Sequence, residues 1–394
     1  MPLDPIDLLS ELVACPSSNP RRAPLSPEYP GEAGLVRLLE RILTRLGGRV
    51  VIEEVLPGRS NLLAWFPGQA RLPALMLSGH SDTVPQDGMT IPPFTPVIRD
   101  GRLYGRGACD MKGGMAALIA ALSRWTESGR PFPVPVCFAA TCNEEFGAHG
   151  SKALLAAHPG EFAAAIVAEP TNLDIVHVHK GALRFSIEAA GLPAHSSVPE
   201  RGASAVLAMT GVIRRIEGPY RAELARRTHP LVDAPRVSVG LIHGGTQVNI
   251  VPDRCEIEVD RRTIPGETEA GVRAEFEAIL EAVRAESDPR VTFTCRPTEE
   301  YPPLQEPVDG PVARLAAEAC RRVLGKAVFA PAPYATDAGV FSSRGLPSLV
   351  MGPGSVAQAH TQDEYVELAA VRQAADVYET LIGLSGRFLS AEAP

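Results

Sequence analysis

The sequence predicts an α/β fold: a mixed sheet flanked by helices, interrupted by an inserted α+β domain of βαββαβ, ferredoxin-like order. Three observations predict it. Short apolar runs at 74–77, 134–140 and 163–167 read as buried strands with helical patterns between them, which implies a sheet whose ligands sit beyond the strand ends. After Lys180 the order becomes strand, helix, strand, strand, helix, strand, a small self-contained open sheet. Finally, 394 residues exceed what one hydrophobic core usually organises. One discontinuous domain is therefore expected over 1–180 and 297–394, with the inserted domain at 181–296.

Each element follows from local pattern. Asp4 is an N-cap with Pro5 at the first helical position, and Leu8, Leu9, Leu12 and Val13 recur at helical spacing. After a loop at 15–30, Leu35, Leu38, Leu39, Ile42 and Leu46 mark a second helix, ended by Gly47 and Gly48 before a strand at 50–55. Helices at 111–125 and 151–157 separate the buried strands. The insert reads as strand 182–190, helix 203–216, strands 237–242 and 255–261, helix 269–286 and strand 291–295. From Pro311 the alternating pattern returns with a helix, a strand at 348–351 and a long final helix after Asp363.

Composition excludes several classes of function. An apolar fraction of 45% with 21% charged residues is that of a soluble globular protein. A net charge of -8 and the lack of a basic stripe argue against a nucleic-acid partner. The 7 cysteines are odd in number, scattered and without CxxC spacing, so neither a disulfide framework nor a thiolate metal site is expected. The N-terminus has no basic region before its apolar stretch, which reads as an amphipathic helix and not as a signal peptide or membrane span. A cytoplasmic protein with no membrane partner is expected.

Five segments carry chemistry, each beyond a predicted strand or in a glycine-rich turn. The first holds His80 and Asp82: a His at a strand end binds a metal through one ring nitrogen, and a carboxylate two residues on fixes its orientation. The second, Gly105-Arg106-Gly107-Ala108-Cys109-Asp110, matches neither GxGxxG nor a P-loop; it leaves an Asp in a turn where backbone and cation can approach closely. The third, Asn143-Glu144-Glu145, places two carboxylates at a strand exit, where one can ligate a metal and the other handle protons. Glu169 follows the next strand, and the segment from Gly352 through Gly354 to His360 follows the returning one. Taken singly, each is as well explained by a polar turn, a solvated acidic pair or a structural histidine. Together, imidazole and carboxylate donors without thiolate suit Zn, Co or Mn, and one bridging carboxylate would hold two ions roughly 3.5 to 4 Å apart.

In this order and with a βαββαβ insertion, these segments resemble the M20 metallopeptidase family, which includes acetylornithine deacetylases, succinyl-diaminopimelate desuccinylases, aminoacylases and carboxypeptidases. The resemblance implies a zinc-peptidase-like catalytic domain holding two Zn²⁺, with Co²⁺ or Mn²⁺ as alternatives. It implies that His80, Asp110 and Glu169 hold one ion and Asp110, Glu145 and His360 the other, with Asp110 bridging. It further implies Glu144 as general base, Asp82 as the partner of His80, and a cis peptide between Asp110 and Met111. In the insert, it implies a lid that also makes a homodimer, with His195 stabilising the oxyanion and Asn249 and Arg262 contacting substrate. Arg262, not Arg261, aligns with the family's carboxylate-binding arginine, and Gly354 is a further substrate contact. The chain departs from the pattern at Asn143, where an Asp commonly precedes the two glutamates.

The segments 335–339 and 352–360, followed by Asp363-Glu364-Tyr365, favour the acetylornithine deacetylase branch and so a place in arginine biosynthesis. The expected substrate is a small N-acyl amino acid, with a carboxypeptidase or dipeptidase on short peptides as the enzymatic alternative. A non-catalytic binding protein on this scaffold is the remaining alternative, and retention of Glu144 with all five ligands speaks against it. Because His195 and Arg262 fall in the insert, catalysis is expected to need closure about hinges near Lys180 and Pro297.

Overall fold

The computed structural model describes residues 1–69 and 72–389; 390–394 of the expected second segment lie outside them. The chain divides into two compact units, Met1–His177 with Leu304–Pro331 and Thr336–Pro394, and Val178–Pro303 with Ala332–Ala335.

The first unit opens with α1 (Pro5–Val13) and α2 (Ala33–Arg45), then β1 (Arg49–Leu56), β2 (Arg59–Phe66), β3 (Ala74–His80), β4 (Val97–Arg99) and β5 (Arg102–Tyr104). It continues through α3 (Gly113–Glu127), β6 (Val136–Thr141), α4 (His149–Ala157), β7 (Phe162–Val167) and β8 (Ile175–His179). Asp4 caps α1 as expected, its Oδ1 accepting the Ile6 N–H at 2.7 Å. The second unit holds β9 (Gly181–Ala190), α5 (Ala205–Arg215), α6 (Arg221–Leu224), β10 (Arg236–Gly244), β11 (Arg254–Thr263), α7 (Glu269–Arg284) and β12 (Thr292–Tyr301). The chain ends with β13 (Leu304–Gln305), α8 (Pro311–Leu324), β14 (Phe329–Ala332), α9 (Asp337–Ser343), β15 (Ser348–Val350), β16 (Tyr365–Glu367) and α10 (Leu368–Leu389).

The main sheet runs β1-β2-β6-β3-β7-β15-β8-β13, with β14 on β8. Its centre is parallel: β3 pairs β6 and β7, and β7 pairs β15, all in the same direction. Every residue of β3 and β6 is buried, which explains their unbroken apolar runs: a parallel strand covered on both faces shows no alternation. The helices α1, α2, α3, α8 and α10 supply the apolar faces that cover it, with Leu9, Leu39, Leu118, Leu315 and Tyr378 in one continuous core.

Several parts of this unit escape the sequence pattern, among them β8, β13, β14 and α9, for which the local pattern gave no element. The strand β2 carries Arg59 and Asn61, both buried, so its polar residues hide a strand that lies within the sheet. A separate small sheet, β16-β5-β4, is built from strands of three residues each, too short to show a period.

The second unit is a four-stranded antiparallel sheet in the order β10-β11-β9-β12, with α5 and α7 packed on one face around Phe185, Ile257 and Phe276. The strand β12 passes through Pro297, the expected edge of the insert, to Tyr301. A register shift between Pro297 and Glu299 accommodates the proline, which has no N–H to give to the ladder.

Candidate metal centre

The parallel order of β6, β3, β7 and β15 sends the chain off the same edge of the sheet four times. His80 ends β3, Glu144 and Glu145 follow β6, Glu169 follows β7, and the 352–360 loop follows β15. Ladder bonds persist beyond the strands, from Ser81 N to Thr141 O at 2.8 Å and from Met351 N to Val167 O at 2.9 Å, so the exits stay in register. The fifth donor, Asp110, arrives from the turn before α3. The Asp110–Met111 bond is cis, as the resemblance implied. That turn lies close against the sheet because α3 begins with glycine: a Cβ on Gly114 would stand 2.0 Å from the Ala168 carbonyl oxygen.

The five side chains meet as two sets that share Asp110: His80, Asp110 and Glu169, and Asp110, Glu145 and His360. In each set the nearest donor atoms all lie within 4.8 Å of one another. His80 Nε2 lies 2.9 Å from Asp110 Oδ1, and His360 Nε2 lies 3.2 Å from Asp110 Oδ2, so the two imidazoles address opposite oxygens of one carboxylate. His80 Nε2 is 3.6 Å from Glu169 Oε1, and His360 Nε2 is 3.2 Å from Glu145 Oε2. The other oxygen of Glu145 is fixed by the Val84 N–H at 3.1 Å.

Electrostatics show how much negative charge is gathered here. Burial, aided by the charge of Asp110, pushes Glu169 up to about 8 and also raises Glu145. Burial raises Glu144 well above the usual carboxylate range. Hydrogen bonds that the His360 ring donates to Asp110 and then to Glu145 lift His360 to about 11. Buried carboxylates crowded against neutral-capable imidazoles call for a cation to balance them, and the all-N/O donor set with one shared carboxylate fits a pair of divalent ions.

The main-chain carbonyl of Asp82, not its carboxylate, makes the nearest contact to His80: Nδ1 is 2.8 Å from that oxygen and 3.7 Å from Asp82 Oδ1. That leaves Nε2 to face the metal sets. The Asp82 carboxylate instead accepts the N–H of Glu144 at 3.0 Å, the N–H of Glu145 at 3.1 Å and Asn19 Nδ2 at 2.6 Å.

Behind it lies a network that spacing gave no sign of. Glu32 and Arg59 form a buried two-bonded ion pair, Arg59 Nη1 donates to Asn143 Oδ1 at 2.6 Å, and Glu32 accepts the Asn143 N–H at 3.0 Å. Asn143 takes a left-handed φ of 58° and donates to the Phe146 carbonyl at 2.5 Å. The amide at this departure point both accepts from Arg59 and donates to the chain, which a carboxylate could not do.

Gly354 packs into the same loop cluster with φ +85°, and a Cβ there would stand 2.7 Å from Cys109 Sγ.

In the second unit, His195 and Asn249 are brought together: Ser196 N–H donates to the Asn249 carbonyl at 3.0 Å, and Val251 N–H to the Ala194 carbonyl at 2.8 Å. The exposed His195 ring accepts at Nδ1 from the Ser197 N–H at 3.2 Å and lies 2.7 Å from Ser197 Oγ, which leaves Nε2 to carry the proton. Alternation along β11 separates the two arginines. Arg261 is fully buried on the helix side against Glu267 and Tyr220, while Arg262 stands on the open face with its Nε 2.8 Å from Asp260 Oδ1.

Fold and site together define a metal-dependent hydrolase acting on amide bonds. The chain belongs to peptidase family M20/M25/M40, whose model matches residues 76–383. It is 32% identical over 389 residues to an acetylornithine deacetylase of Photorhabdus laumondii subsp. laumondii, covering 96% of each chain. It is also 32% identical over 386 residues to an acetylornithine deacetylase of Proteus mirabilis, covering 96% of this chain and 95% of that one. Among solved structures, an M20 family metallo-carboxypeptidase of Sulfolobus solfataricus matches with a TM-score of 0.79 at 18% identity, over 98% of this chain and 99% of that one. A Bacillus subtilis protein described as a dinuclear metal binding peptidase matches with a TM-score of 0.71 at 18% identity, over 98% of each. At these identities the structural likeness speaks for the fold.

Proposed function

We propose that this chain removes an N-acyl group, most simply acetyl, from an amino acid, with N-acetylornithine as the reference substrate and arginine biosynthesis as its setting. The single observation that carries the reading is the pair of donor sets sharing Asp110, with the buried carboxylate of Glu144 in electrostatic contact with His80 and Glu169 beside them. In this reading His80, Asp110 and Glu169 hold one Zn²⁺ and Asp110, Glu145 and His360 the other, with Co²⁺ or Mn²⁺ able to replace zinc. Bound there, such ions lower the pKa of a water and polarise the amide carbonyl.

The chain's own residues do the rest. Glu144 takes the proton from the attacking water and passes it to the leaving nitrogen, which its buried carboxyl can hold between the two events. Asp82 keeps the Glu144 and Glu145 main chain in place. The second unit contributes His195, whose Nε2–H donates to the developing oxyanion, and Arg262 with Asn249 for the substrate carboxylate and backbone. In this reading Gly354 offers a further substrate contact through its main chain.

A second unit from another copy is the proposed partner. The edge strand β10 exposes Leu241 at 50% and Ile242 at 52%, and Leu207 on α5 is exposed at 72%. Among the described residues no helix is long and apolar enough to cross a membrane. The seven cysteines are all free, five of them buried, which suits the reducing cytoplasm we propose as its location.

One preparation tests the reading. Metal content, then turnover of N-acetylornithine, N-acetylcitrulline, N-acetylmethionine and a short dipeptide panel, should give two ions per chain and preference for an N-acetyl amino acid. Dominant cleavage of dipeptides would transfer the protein to the carboxypeptidase or dipeptidase reading. Glu144→Gln should keep its metal and lose roughly 10²- to 10⁴-fold in kcat. Unchanged turnover in that variant would remove Glu144 from the mechanism.

A further inference from the structure

Glu364 has no place in the chemistry above, yet its buried carboxylate accepts four hydrogen bonds. Oε1 accepts the N–H of Cys109 at 2.9 Å and of Asp110 at 3.0 Å; Oε2 accepts the N–H of Gly107 at 3.0 Å and Arg106 Nη1 at 2.6 Å. Its main-chain carbonyl accepts the Gly105 N–H at 3.0 Å. The turn that delivers Asp110 is thus wrapped around one side chain.

The small sheet explains how that side chain arrives. Pairing of β16 with β5 sets Tyr365 opposite Tyr104 and Val366 opposite Leu103, which places Glu364 against Gly105. Four residues earlier in the chain stands His360, with φ +62° and a side chain 53% exposed, so packing does little to place it. Its loop is fastened at both ends to the Asp110 turn. On one side Cys109 Sγ donates to the Ser355 carbonyl at 3.3 Å, and on the other Glu364 grips the N–H groups of Cys109 and Asp110.

We propose that Glu364 is a positioning residue that locks the His360 loop to the Asp110 turn, so that the metal set containing both is assembled as one body. It touches neither substrate nor ion and acts through the backbone that carries two ligands. A charged carboxylate is suited to this because it accepts from several N–H groups at once, whereas an amide turns a donor toward at least one of them. The half of the centre that depends on His360 therefore suffers more from its loss than the half that depends on His80.

The metal titration below rests on the two-ion reading; the exchange measurement does not. The full chain is stripped with a chelator and titrated with Co²⁺, followed by calorimetry and the visible d–d bands, for wild type, Glu364→Gln and Glu364→Asp. In parallel, hydrogen exchange of the metal-free proteins is followed across 105–111 and 355–363. For Glu364→Gln we expect the second equivalent to weaken by about tenfold or more and the first by distinctly less. Exchange should accelerate in those two segments together, and Glu364→Asp, which keeps the charge, should recover part of both effects. Two unchanged equivalents, or equal weakening of both with exchange faster throughout the unit, would overturn the proposal and leave Glu364 an ordinary buried ion-pair partner. Should wild type bind a single equivalent, the two-ion reading fails, and the paired or unpaired response of the two segments alone decides the role of Glu364. If Glu364→Gln does not fold, Glu364→Asp is read by the same criteria.

Discussion

Asp82 grips the main chain of Glu144, its Oδ1 accepting that N–H at 3.0 Å. A side chain on the loop after β3 therefore sets the position of the turn after β6, the neighbouring strand. The bond couples the segment of the first imidazole to the residue proposed as general base.

From this coupling, Asp82→Asn should lower kcat roughly 10- to 100-fold, because the amide presents N–H₂ to one of two N–H groups and the turn shifts. The carbonyl that orients His80 belongs to the main chain and survives the substitution. Steady-state kinetics with metal content measured on the same sample check this. A partial loss of metal with kcat per bound ion unchanged would contradict it.

The ion pair of Glu32 and Arg59 should behave as a buried pair does when one partner is removed. Arg59→Met leaves the carboxylates of Glu32 and Asp82 without their shared cation. We expect a loss of roughly 3 to 5 kcal/mol, readable as a shifted urea midpoint in the metal-free protein. The double variant Glu32→Gln with Arg59→Met should be less damaged than the single one.

Gly354→Ala tests the packing of the 352–360 loop. Its φ of +85° and the 2.7 Å approach of a Cβ to Cys109 Sγ oppose any side chain. A cost of about 1 to 3 kcal/mol is expected, together with weaker metal retention, because Cys109 adjoins Asp110. Gly345→Ala, with a comparable φ of +82° but nothing within 4 Å, should cost less and leave metal retention unchanged.

Acid sensitivity should include a contribution from His179. Burial holds this ring at about 4, below its usual 6.5. Below pH 6.5 the unfolded chain takes up a proton that the folded chain refuses until about pH 4. The stability tied to the neutral ring is therefore complete above pH 6.5 and is lost as the pH falls through that window, by about 3 kcal/mol in all. Denaturant midpoints at pH 7.5 and 5 should differ less in His179→Gln than in wild type, and an equal difference would exclude the histidine as a source.

Where chemistry lies at the end of a buried strand, the sequence shows it directly. His80, Glu144, Glu145, Glu169 and His360 each follow an apolar run, and a strand covered on both faces has to be apolar throughout. Supporting residues carry no such mark. Asn19 lies in a loop, Arg59 begins a strand whose polar residues break its pattern, and Glu364 looks like one acid in an acidic stretch. Their roles consist of hydrogen bonds to distant backbone, and a bond between segments far apart in sequence leaves no local periodicity.

The sequence by itself determined the order of the longer helices, the apolar strands β3, β6, β7 and β15 and the donor types, since these depend on burial and on side-chain chemistry within a few residues. Tertiary structure decided which oxygen of Asp110 faces which imidazole, and it turned Asp82 toward the Glu144 turn and Arg261 away from Arg262. Those outcomes depend on the parallel register of β6, β3, β7 and β15 and on alternation along β11, which exist once strands have paired.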